Sequence, residues 1–112
     1  MTEFSQWPPE GHEAVGDYAF APPDVPTAEQ VEEAEMFVFS SAAFAKIDES
    51  QRRRNVIRLA INSISAEQAV GQEEGSQSTG TIPLIGGVVA IITSVRHEGS
   101  VIRRYEIQES ES

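Results

Sequence analysis

A chain of 112 residues with no cysteine and a net charge of −10 forms one domain at most, without disulfide frameworks, thiolate metal sites or cysteine nucleophiles. Eighteen acids against eight bases disfavour general affinity for nucleic-acid phosphates, because like charges repel at range, so nucleic acid is not an expected partner. The acids are unevenly placed: residues 1–50 hold eleven against Lys46 alone, whereas residues 51–64 hold four arginines and no acid.

Residues 1–26 carry five of the six prolines. Proline removes a backbone donor and disfavours helix in the residue before it, which predicts an extended, acidic arm. Phe4, Trp7, Tyr18 and Phe20 are spread through it, more aromatic character than a disordered tail carries. The arm either wraps its own domain or a neighbouring subunit, with Trp7, Tyr18 and Phe20 as anchors, or docks them on an outside partner. The first is favoured, since large rings seek the nearest burial. The opening residues are acidic and lack the basic-then-apolar pattern of a signal peptide, and no apolar run approaches the ~20 residues of a membrane span. A cytoplasmic protein without membrane contact is expected.

Two consecutive helices are predicted over 27–47 and 48–70. Thr27 and Gln30 fit a capping box, and Glu29, Glu32 and Glu33 suit the positive end of the helix dipole. From Met36 to Ile47 the residues are apolar on every side except Ser40 and Ser41, the mark of a helix buried all round. A chain this small can hardly bury one helix so fully. Self-association or an obligate protein partner is therefore expected, with Met36, Phe37, Phe39 and Phe44 as contacts. A short strand over Met36–Phe39 is the competing reading, which the flanking Glu and Ala residues disfavour. Asp48 is a good N-cap for the second helix, with Gln51 at the matching position. Val56, Ile57, Ala60, Ile61 and Ile64 form its apolar stripe, and Gly71 is its stop.

Residues 71–80 read as a polar loop. Strands are predicted over 81–85, 88–96 and 101–107, with Gly86-Gly87 as a two-residue hairpin turn and Pro83 confining the first strand to an edge. Val89, Ile91, Val95 and Ile102 lie on one face of this meander, and Val88, Ile92, Val101, Tyr105 and Ile107 on the other. A sheet apolar on both faces is covered on both. The helices can cover one, which adds Ile92 and Tyr105 to the expected association residues and leaves the second face to a subunit or the arm. Residues 108–112 form an acidic tail. The expected class is thus α+β: an extended Pro-rich arm, two helices, then a three-stranded antiparallel meander.

Arg52, Arg53, Arg54 and Arg58 form the most conspicuous polar cluster. It could hold an anion or an acidic partner, or pair with the acids of the first helix, and the second reading is favoured. The dipeptides His12-Glu13 and His97-Glu98 have no nucleophile tied to them, and the glycines match no phosphate-binding loop. No acidic run has the spacing of a calcium loop, and no catalytic, metal or cofactor residues are assigned. The expected function is a non-catalytic, self-associating interaction or assembly protein, dimeric or higher. The alternatives are an acidic inhibitor or regulator that mimics phosphate toward a basic partner, and a small enzyme or ligand-binding subunit with a pocket at an oligomer interface.

Overall fold

Thr27 fixes where the first helix starts. Its Oγ1 accepts from the Gln30 N–H at 3.1 Å, while Gln30 Oε1 accepts from the Thr27 N–H at 2.8 Å, so the capping box closes in both directions. The computed structural model describes residues 7–108, and in it this helix, α1, runs Ala28–Ser40. Val31, Ala34 and Val38 form its buried stripe at helical spacing.

The helix expected over 27–47 is broken at Ser40-Ser41. The Ser40 hydroxyl turns back onto the Met36 carbonyl, and Ser41 takes an extended conformation at φ −89°, ψ 128°. Ser41 Oγ then accepts from the Ala43 N–H at 3.3 Å and starts a single 3-10 turn, Ala42–Phe44. Serine side chains that bond the local backbone compete with helix continuation. The break swings Phe44 into the core, where it is fully buried. The break divides the run: Val38 and Phe44 are buried and Phe37 and Ile47 half-buried, while Met36, Phe39, Ala42, Ala43 and Ala45 stay exposed.

Asp48 caps α2, Glu49–Gln68, by accepting from the Gln51 N–H at 2.9 Å. Asn55, Val56, Leu59, Ala60 and Ser63 are its buried residues. Inside the Pro-rich arm, two short strands, β1 (Glu13–Val15) and β2 (Tyr18–Phe20), pair antiparallel across Gly16-Asp17, with Gly16 at φ 64°. This part of the arm is a hairpin, and it delivers Tyr18 and Phe20 into the core.

Three strands follow in the order β3-β4-β5, all antiparallel: β3 (Gln77–Leu84), β4 (Val88–His97) and β5 (Ser100–Gln108). β3 starts four residues before the expected position, so residues 77–80 are strand and not loop. The ten-residue β4 offers a ladder along its whole length, and Gln77 pairs with Val95 at its far end. At its other end β3 stops at Leu84, because Ile85 leaves the ladder to bond Asn55. Asn55 Oδ1 accepts from the Ile85 N–H at 2.9 Å and Nδ2 donates to the Ile85 carbonyl at 3.1 Å. The hairpin loop is therefore Ile85-Gly86-Gly87, with both glycines at positive φ.

The helices form one layer over the sheet. α2 packs across β3 and β4, and α1 packs on α2. α1 also reaches β5 through Phe37, whose ring centre lies 5.5 Å from that of Tyr105. Burial of Phe20, Phe44, Leu59 and Ile92 supplies roughly 1.5–3 kcal/mol each. No helix among the described residues is long and apolar enough to cross a membrane.

Candidate interaction surface

Side chains alternate across a strand, so the register assigns every sheet residue to one of two faces. Ile82, Leu84, Ala90, Ile92 and Ser94 are buried beneath the helices. The opposite face carries Val89, Ile91, Thr93 and Val95 on β4, flanked by Thr79, Thr81 and Pro83 on β3 and by Ile102, Arg104 and Glu106 on β5. No element of the described residues lies on this outer face. Ile102 is 53% exposed, and the β4 residues are half-buried by their own cross-strand neighbours. Ile102 pairs with Val95, Arg104 with Thr93 and Glu106 with Ile91, which makes a stripe of branched apolar side chains with one base and one acid on its β5 side. Arg104 Nη1 lies 3.7 Å from Glu106 Oε2.

The inner face of β5 carries a polar group that the sequence reading missed. Arg103 shares a face with Val101, Tyr105 and Ile107, and its side chain is only 5% exposed. Its Nε donates to Glu33 Oε1 on α1 at 2.7 Å, and its Nη1 donates to Glu67 Oε1 on α2 at 2.9 Å. Gln30 Nε2 donates to the same Glu67 oxygen at 2.9 Å. Beside this group, Tyr105 Oη and Ser63 Oγ lie 2.9 Å apart. Burial opposes the Arg103 charge, but the paired carboxylates outweigh it and hold its pKa above the ordinary arginine value. The group joins both helices to the edge strand. The signal in the sequence was an arginine standing at an apolar position of an alternating strand.

The arginine cluster does not form one site. The Arg52 guanidinium lies over the Phe39 ring at 5.3 Å, and Arg53 lies 5.7 Å from the Tyr18 ring centre and 6.0 Å from that of Phe39. Arg53 also pairs with Glu49 within α2, and Arg58 donates to the Pro83 carbonyl at 2.9 Å. Arg54 is exposed beside an open groove of about 380 Å³ that also involves Ile57, Arg58 and Ile61, all side chains of α2 alone. Of the acids in α1, Glu33 bonds Arg103 and Glu35 accepts from the Tyr18 hydroxyl at 3.1 Å.

The expected association residues divide into three groups. Phe44 and Ile92 belong to the chain's own core and offer no surface, a correction that follows from the turn after α1 and from the sheet register. Phe37 and Tyr105 are half-buried against that core. Met36, 71% exposed, and Phe39, 37% exposed, remain at the surface. Among the arm residues, Tyr18 and Phe20 are buried and Trp7 is exposed, while Phe4 lies outside the described residues. His97 ends β4 at the surface, 3.4 Å from Glu74 and 3.6 Å from Glu98. Among the described residues no group of three or more His, Asp or Glu side chains is arranged to hold a metal ion.

No family model, curated protein or solved structure matches the chain.

Proposed function

We propose that this protein is a non-catalytic interaction protein that self-associates through the outer face of its sheet. The observation that carries the reading is the exposure of Ile102 beside Val89, Ile91 and Val95 on a face that no described element covers. Removing such branched side chains from water stabilises an assembly by roughly 25 cal/mol per Å² of apolar surface. A second copy suits the surface because Arg104 and Glu106 stand two positions apart on it. A twofold axis between copies places each base near the other copy's acid, which is the self-complementarity of an isologous contact.

The size of the face limits its strength. Three strands ~4.8 Å apart and about eight residues long, at ~3.3 Å each, present roughly 380 Å² per copy. Stable interfaces bury about 800 Å² per partner. One sheet face therefore supports weak association unless it is enlarged. The test is sedimentation of the full chain over a range of concentrations: a concentration-dependent rise in mass supports the reading, and a monomer throughout the micromolar range removes it.

The arginine cluster supports binding of a separate acidic partner less well, since Arg52, Arg53 and Arg58 have partners inside the chain. A phosphate-mimic role has a similar weakness, because Glu33 and Glu35 of α1 bond within the fold.

A further inference from the structure

The two edges of the sheet are unlike. On β3, Pro83 has no N–H to offer and its carbonyl already accepts from Arg58, so that edge is closed near its end. β5 spans nine residues with no proline and no glycine, and among the described residues it pairs with β4 alone. Val101, Ile102, Tyr105 and Ile107 give it high strand propensity. A long, regular edge of this kind is a template for another strand.

We propose that β5 is the seam of a twofold dimer, pairing antiparallel with β5 of a second copy and centred on Tyr105. The proposal rests on the self-association reading and gives it a geometry. For the two sheets to join with their outer faces on the same side, paired residues must sit at positions of equal parity. Centring on Arg104 or on Glu106 sets like charges directly opposite each other, which destabilises a cross-strand pair. Centring on Tyr105 sets Arg104 opposite the second copy's Glu106 twice over, and Ile102 opposite Gln108. On the inner face it sets the two Tyr105 positions opposite each other, each ring keeping its contacts with Phe37 and Ser63 of its own copy. The product is a six-stranded sheet whose outer face is twice that of one copy, roughly 760 Å² by the same spacing arithmetic, close to what a stable stacked interface needs.

The absence of cysteine makes the seam directly testable. Arg104→Cys and Glu106→Cys change exposed side chains, one thiol per chain. Under mild oxidation an equimolar mixture of the two is expected to form a disulfide-linked dimer, several-fold more than either variant alone, because only the mixture sets thiol opposite thiol. Amide exchange of β5 in the unmodified chain is expected to slow on alternate residues as concentration rises. If the unmodified chain sediments as an oligomer but the mixture cross-links no better than the single variants, the seam is wrong and self-association stands. If β5 amides are equally protected at the lowest concentration, the edge is covered by the chain's own residues and the seam is wrong. A monomer in sedimentation removes both readings.

Discussion

Arg103 of β5 and Glu33 of α1 form a 2.7 Å ion pair across the interface between sheet and helix layer, with the arginine side chain almost wholly out of water. β5 is an edge strand, and this pair, with the second contact to Glu67, ties it to both helices. Arg103→Ala leaves the Glu33 and Glu67 carboxylates without their shared partner, Glu67 keeping only the Gln30 donor. Removing one member of a buried pair costs about 3–5 kcal/mol, and the partial exposure of both glutamates brings the expected loss to about 2 kcal/mol. Urea unfolding reads it, and Arg103→Met, which keeps the apolar stem, should lose less. A loss under 0.5 kcal/mol, roughly the scale of an exposed pair, would mean that the group does not hold the layers together.

Asn55 does the same for the hairpin between β3 and β4. Its side chain both donates to and accepts from Ile85, and it is fully buried. Asn55→Ala leaves the half-buried Ile85 N–H and carbonyl without their partner, for an expected cost of about 1–3 kcal/mol. Asn55→Asp keeps the acceptor and loses the donor, so its effect should depend on pH. Denaturant midpoints for the two variants separate these contributions, and equal midpoints for Asn55→Ala and the unmodified chain would contradict the assignment.

Alkaline stability depends on Tyr18. Burial first, and the neighbouring Glu35 carboxylate second, push its phenol from 10.0 up to about 12. Burial also raises Tyr105. An unfolded phenol loses its proton near pH 10, so between that value and about 12 the folded chain holds protons that the unfolded chain has lost. The stabilisation is complete below pH 10 and falls as pH rises through this window. Tyr18→Phe should flatten the fall, measured as urea midpoints at pH 8 and across the alkaline range. Parallel curves for the two proteins would contradict it.

Local chemistry made some of this legible in the sequence, and long-range pairing hid the rest. The Thr27–Gln30 box and the Asp48 cap are short-range signals, and both caps stand where residue type placed them. The turn glycines and the β-branched runs between them likewise announced an antiparallel meander. The break at Ser40-Ser41 was not legible, because two serines inside an apolar run carry no strong stop, and it is the gain from burying Phe44 that decides. Gln77 to Gly80 have no strand pattern of their own; the length of β4 recruits them. The Arg103 group joins residues more than thirty positions apart, beyond what periodicity reports. Of the surplus apolar surface expected from sequence, the helical part is divided, with Val38 and Phe44 in the core and Met36 and Phe39 still exposed, while the outer sheet face remains.

That face carries the central claim, and Ile102 is its most exposed apolar residue. The decisive measurement is sedimentation equilibrium of the unmodified chain and of Ile102→Asp, from low to high micromolar concentration, with urea unfolding to establish that both are folded. Self-association through the outer face predicts a mass that rises with concentration for the unmodified chain and at least a tenfold weaker rise for Ile102→Asp at unchanged stability. A folded unmodified chain of 12.2 kDa at every concentration would contradict it.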